Sequence, residues 1–306
     1  MDNRNNTIFG WVLGAGIVAL GLTSLSTKYF TAHEPEKAGY EVAGGEGGGA
    51  ARIVAEIAPA RARGFWPCWP QVGAPAGNLL AAGVFAIASA SLSEADFQAW
   101  GWRIPFLVSI VLVLVGWWLR RAVSESHVFQ EDTREGVERF PAMEVLRRCR
   151  RALLIGGGLR FGENLCYYVA ATFVMTYVTE IRGGDRSMVL EAVLIGSVLE
   201  CLTMPLFAAL SDRIGRRVVY GVGAACVAAW FVAFFPLVDR GDPFSITLAI
   251  SVAMVAHGAM YAPQGAFMAE LFPTRLRYSG ASIAYQATSI LAGSLAPPIA
   301  PSLYKA

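Results

Sequence analysis

Of 306 residues, 55% are hydrophobic and only 16% charged, and the mean hydropathy is +0.47. So apolar a composition excludes a soluble α/β enzyme of this length and reads as a polytopic membrane protein. The net charge of +2 says less than the placement of the arginines, and no nucleic-acid partner is expected.

Apolar runs of about 20 residues, enough for a helix to cross a hydrocarbon core of about 30 Å, alternate with charged connections. In lipid these runs must be helical, because each backbone has to satisfy its own hydrogen bonds. Spans are expected over Ile8–Leu25, Trp69–Ser91, Ile104–Leu119, Ala152–Thr179, Met188–Leu210, Val218–Val238, Phe244–Met268 and Ala281–Leu303. The expected fold class is an all-α membrane protein with about eight transmembrane helices. Arginines gather in alternate loops: Arg61 and Arg63; Arg120, Arg121, Arg147, Arg148, Arg150 and Arg151; Arg213, Arg216 and Arg217; Arg275 and Arg277. By the positive-inside rule these loops are cytoplasmic, which puts Cys149 inside and Asp239–Asp242 outside. Around the first span, charge counting favours an N-terminus outside.

In the second span, Gln71 and Asn78 lie seven residues apart, in line with Gly73 and Gly77, a small-residue pair that permits close helix approach. Pro75 between them is expected to bend the helix. Trp100, Trp102, Trp117 and Trp118 bracket the third span as interfacial anchors. In the fourth, Arg160, Glu163, Asn164, Tyr167 and Tyr168 recur at helical spacing and form one polar stripe. Ionisable groups at the bilayer centre cost about 2.5–3.5 kcal/mol each on insertion scales, so such a stripe must face the bundle interior. It serves either as a substrate or proton path or as a structural ion pair. Glu200, mid-span, is a second protonatable candidate. His257, Tyr261 and Gln264 make another stripe, read either as proton-coupling or as packing.

The five cysteines stand singly, and no zinc or haem ligand set is seen. Gly156–Gly158 lack the Lys-Ser/Thr of a phosphate cradle and read as packing. No cofactor, no metal and no enzymatic activity are expected.

The segments "EIAPARARG" from Glu56 and "ELFPTRLRYSG" from Glu270 repeat Glu, Pro, Arg and Arg at one offset, 270 − 56 = 214. Six spans separate them, the pattern of a transporter whose halves are parallel repeats about an axis along the membrane normal.

With "LSDRIGRR" (Leu210–Arg217), "WPQVGAPAG", "WGWRIPFLVSIVLVLVG", "ESHVF" and "AELFPTRLRYSGAS", the chain from about Gly44 to Tyr304 resembles the metabolite:proton symporter branch of the major facilitator superfamily. The resemblance implies a secondary transporter in the bacterial inner membrane that carries a small metabolite (an organic acid, proline or betaine) with a proton, its partners being the lipid bilayer, the metabolite and the proton. It implies that Asp212, with Arg213, Gly215, Arg216 and Arg217 and with Glu270, Arg275 and Arg277 of the repeated loop, forms a latch for one alternating-access state. In that latch the aspartate pairs with an arginine and a helix N-terminus. Ala208 stands where the family often has glycine.

Measured against that family, the first three helices and the last have no counterpart, and "GGEGGGA" resembles a family motif with Gly47 in place of a tryptophan. Residues 1–40 resemble the anchor of a membrane-bound c-type cytochrome, which implies the opposite orientation of the first span; a cleaved signal peptide is the other reading. The expected organisation is therefore an anchor over 1–40, a remnant of the amino-terminal bundle over 41–121, a cytoplasmic loop over 122–151 and a carboxy-terminal bundle over 152–306. Such a chain either transports or inserts in the membrane without transporting, and its incomplete bundle invites association with other membrane proteins.

Overall fold

The computed structural model describes residues 58, 60–122, 141–273, 276–277 and 279–290. The first expected span, the glycine-rich "GGEGGGA", Glu56, Pro59, "ESHVF", Arg275 and the end of the last span lie outside the described residues.

The described residues form helices joined by short turns, without strands. In chain order the helices are α1 (Phe65–Ser91), α2 (Glu94–Ala99), α3 (Ile104–Ala122), α4 (Pro141–Arg148), α5 (Arg150–Tyr167), α6 (Arg186–Ile214), α7 (Arg216–Val238), α8 (Pro243–Tyr261), α9 (Gln264–Leu271) and α10, helical over 279–290. The chain divides into two compact units, Met1–Gly44 with Gly77–Gly136 and Gly45–Ala76 with Val137–Ala306, so α1 begins in the second and ends in the first.

Among the described residues, four stretches are long and apolar enough to cross a membrane: Phe65–Ala88, Arg186–Ile214, Arg216–Val238 and Pro243–Leu271. In the first unit, α3 exposes Leu107, Ile110, Val111 and Leu114, which suits a face turned to lipid rather than to water. Its entry is set by a short capped helix: Ser93 accepts from the Asp96 amide at the start of α2. The Arg103 guanidinium then lies 4.1 Å above the Trp102 ring, joining charge and aromatic anchor at the helix start.

The second unit is organised around α8, which packs against both α6 and α7. Asp242 caps α8 by accepting from the Ser245 amide, and Pro243 takes the first helical position, where its missing N–H costs nothing. Phe234, Ile246, Ile250, Met254, Val174 and Val189 are fully enclosed where α6, α7 and α8 meet. Close approach depends on absent side chains. A Cβ on Gly223 would sit 3.1 Å from the Met260 backbone nitrogen, and one on Gly196 only 2.6 Å from the Met254 sulfur. Gly156 and Gly157 likewise face Met268 and Thr288 across short gaps, a packing role for that glycine run.

Two expected spans are interrupted. The fourth runs as α-helix to Tyr167 and then changes hydrogen-bond pattern in π segments Tyr168–Phe173 and Tyr177–Ile181. The seventh breaks at Ala262–Pro263, where proline cannot donate to the preceding turn, and resumes as α9. Between α6 and α7 a single residue turns the chain: Gly215 holds φ at +96°, a left-handed conformation that disfavours any side chain.

Candidate functional site

The polar stripe of α5 faces the interior of the second unit. Glu163 and Asn164 are buried, and Arg160 is largely so. Arg160 Nη1 donates to Glu163 Oε2 at 2.6 Å and to Gln264 Oε1 at 3.1 Å. Its guanidinium stands 4.5 Å from the Tyr285 ring and 5.3 Å from the Tyr261 ring. Two aromatic faces and a carboxylate thus take the place of water around the cation.

The other Glu163 oxygen meets His257. Nε2 of His257 lies 2.6 Å from Glu163 Oε1, and Nδ1 lies 2.6 Å from Glu200 Oε1. All three side chains are almost wholly buried. The short distance to Glu200 is possible because Gly258 follows the histidine: a Cβ there would press on Glu200 Cγ at 3.3 Å. The other Glu200 oxygen, Oε2, is buried and meets no donor among the described residues.

This geometry restricts where protons can sit. Each line between an imidazole nitrogen and a carboxyl oxygen needs one proton to be a hydrogen bond. Either the imidazolium donates to two carboxylates, or a neutral imidazole donates to Glu163 and accepts from the acid form of Glu200. Both arrangements hold the same number of protons, and with Arg160 both sum to zero charge. A proton can therefore move between Glu200 and His257 without leaving the group.

The network continues toward α1. Tyr285 donates to Gln264 Oε1 at 3.0 Å and accepts from Gln71 Nε2 at 2.5 Å. Side chains from α1, α5, α6, α8, α9 and α10 are thus joined in one buried polar chain. Tyr167 packs beside His257 at 5.2 Å between ring centroids, and Tyr261 stacks on it at 5.5 Å. Asn164 donates back to the Arg160 carbonyl of its own helix. Asn78 is exposed on the part of α1 that belongs to the first unit. Of the expected path residues, then, Arg160, Glu163, Glu200, His257, Gln264 and Gln71 come together directly, with Tyr167 and Tyr261 as walls, while Asn164 bonds within its own helix and Asn78 lies exposed on α1. Among the described residues no cluster could hold a metal ion.

The second group of expected residues lies at the arginine-rich end. Asp212 Oδ1 accepts from the Gly64 amide at 2.6 Å and Oδ2 from the Phe65 amide at 3.0 Å, at the start of α1. Arg216 is shared between Asp212, at 3.5 Å, and Glu270. A carboxylate accepting two backbone N–H groups at a helix start is favoured both by hydrogen bonding and by the helix dipole. Arg213 and Arg217 are exposed, Arg277 is half-buried, and Gly215 makes the turn. Ala208 is fully buried against Cys68, Val72, Met204 and Ala262, so its methyl group fills that helix contact.

Sequence reasoning missed two participants. Tyr285 sits in an apolar run and carries no charge, and Gly64 signals only by its place after Arg63. Both become visible only once helices are paired.

The chain matches the family described as Major Facilitator Superfamily over residues 42–297. It is similar to the shikimate transporter of Escherichia coli (strain K12), with 37% identity over 264 residues covering 85% of this chain and 60% of that protein. It is also similar to the proline/betaine transporter of the same strain, at 31% over 270 residues, 84% of this chain and 53% of that protein. Among solved structures, that of the proton:xylose symporter XylE bound to 6-bromo-6-deoxy-D-glucose matches with a TM-score of 0.67 at 19% identity, covering 84% of this chain and 60% of that one, a likeness of fold. The chain therefore spans 60% or less of the length of these relatives. An all-helical membrane architecture, the repeated arginine loops and a family match over most of the sequence lead to one conclusion: this chain belongs to the Major Facilitator Superfamily, a family of membrane transporters and not of enzymes.

Proposed function

We propose that the chain acts in secondary active transport across a bacterial inner membrane, moving a small carboxylate-bearing metabolite together with a proton. The observation that carries this reading is His257 held between Glu163 and Glu200 with both ring nitrogens engaged. A purely structural ion pair needs Arg160 and Glu163 alone; the histidine and the second carboxyl add a place where a proton can be stored and moved. Arg160 supplies a cation for a substrate carboxylate, in a forked geometry that suits it. Tyr261, Tyr285, Gln264 and Gln71 give the surrounding donors, acceptors and ring faces. The relatives named for shikimate and for proline and betaine support an organic acid, proline or betaine as the cargo class.

In this reading Asp212, Arg216 and Glu270 hold one of the alternating states by clamping the start of α1. Arg213, Arg217, Arg275 and Arg277 hold the loops at the cytoplasmic surface. Metabolite and proton would bind at the midplane group and be released when the clamp opens.

The test is uptake by vesicles that contain only this chain, with labelled citrate, α-ketoglutarate, shikimate, proline and betaine, with and without a pH gradient. Saturable uptake of one of these, collapsing when the gradient is dissipated, is expected. Absence of uptake of all five would favour a chain that inserts in the membrane without transporting.

A further inference from the structure

A cleft of about 540 Å³ at the arginine-rich end of the second unit takes no part in the buried polar chain. Arg151 and Arg217 line it, each the second residue of its helix, α5 and α7. Ile155 and Leu159 follow on α5, four and eight residues on from Arg151, so about 6 and 12 Å deeper at the helical rise. Tyr220 follows Arg217 by one turn on α7, and Leu271 of α9 closes the far side. Both helical walls are ordered alike, with a guanidinium at the end and hydrocarbon beneath it. The Tyr220 hydroxyl donates to the Leu159 carbonyl at 2.6 Å, so the tyrosine presents only its ring to the cleft.

The two arginines are free to act on a ligand. Arg216 takes Asp212 and Glu270, whereas neither Arg151 nor Arg217 has an ion-pair partner among the described residues. A soluble anion would gain nothing from the apolar walls. A zwitterionic lipid would bring its own cation against two guanidinium groups. We propose that the cleft binds an anionic phospholipid of the cytoplasmic leaflet, its phosphate between Arg151 and Arg217 and one acyl chain along Ile155, Leu159 and Leu271.

The intact chain, purified in detergent, is incubated with phosphatidylglycerol or with phosphatidylcholine of the same acyl chains, and retained lipid is counted by native mass spectrometry. One phosphatidylglycerol per chain is expected at a concentration about tenfold or more below that needed for phosphatidylcholine, as two surface arginines imply. The double variant Arg151→Gln, Arg217→Gln is expected to retain both lipids alike. Gly221→Leu provides a second variant that leaves the arginines in place: a Cβ at Gly221 meets nothing within 4 Å, so leucine enters the cleft without disturbing the helix packing. It is expected to lose the bound phosphatidylglycerol, while Arg240→Gln at the opposite end keeps it. Equal retention of the two lipids by the unaltered chain, an undiminished preference in either cleft variant, or displacement of the lipid by millimolar inorganic phosphate would each overturn the proposal.

Discussion

Glu163 has both of its carboxylate oxygens committed, one to Arg160 and the other to His257. Replacing it with glutamine leaves Arg160 a buried cation without its counter-charge, a loss of about 3–5 kcal/mol for a broken buried pair. Either Glu163→Gln or Arg160→Gln is therefore expected to abolish proton-driven uptake while the protein still reaches the membrane fraction, checked by transport and by immunoblot. A double Gln variant that regains uptake would assign the pair a structural role, because removing both charges relieves what removing one leaves behind. Glu200→Gln separates the two functions of the site. Its amide can still bond His257 Nδ1 but carries no titratable proton, so exchange of labelled for unlabelled substrate is expected to continue while accumulation driven by a pH gradient is lost. At the other end, Gly64→Ala would place a methyl group 2.7 Å from Ser211 Oγ and 2.8 Å from Asp212 Oδ1. The Ser211 and Asp212 side chains must shift to admit it, which weakens the two amide-to-carboxylate bonds, and a destabilisation of about 1.5–3 kcal/mol is expected from thermal melting in detergent.

At the scale of helices, α6 and α8 begin in the same way, with an aspartate whose charge accepts local hydrogen bonds. Asp185 accepts from the Ser187 hydroxyl and amide, and Asp242 accepts from the Ser245 amide. These bonds hold both carboxyls below the ordinary aspartate value of 3.8. A carboxyl lowered in the folded state contributes stability that is present above that ordinary value and is lost as pH falls through the lowered one. Asp242→Asn keeps an acceptor oxygen but does not titrate. The wild type is expected to melt above this variant at pH 6, with the gap closing on acidification below about pH 3. The spans that α1, α6, α7 and α8 form and the charged stripe on α5 were legible in the sequence, because apolar length and helical spacing are properties of one segment at a time. What was not legible is pairwise. Periodicity places Arg160 and Glu163 on one face but cannot say that His257 of another helix fills the remaining Glu163 oxygen. Asn164 and Asn78 share their stripes with true participants and yet bond elsewhere or lie exposed. The π segments after Tyr167 depend on how α5 packs rather than on any residue type, and the break at Pro263 is a proline whose effect could have been read within the expected span Phe244–Met268.

For the whole molecule, the orientation expected from the arginine loops is tested with thiol reagents that do not cross the membrane. Native Cys149 is a poor reporter, since it is buried against Val145, Met268 and Phe272. Exposed positions serve instead: in a Cys226→Ala background, Arg240→Cys is expected to react in intact cells and Arg148→Cys only after permeabilisation. The opposite pattern would invert the topology and move the lipid cleft to the outer leaflet. The contact between Gln71 and Tyr285 bears on the frame of the fold as well. These residues are 214 positions apart, the offset that also relates Glu56 to Glu270 in the sequence. One hydrogen bond thus ties α1 to α10, and the Arg160 guanidinium stands 4.5 Å from the ring that carries it, so the site's cation sits against a side chain that joins these two helices.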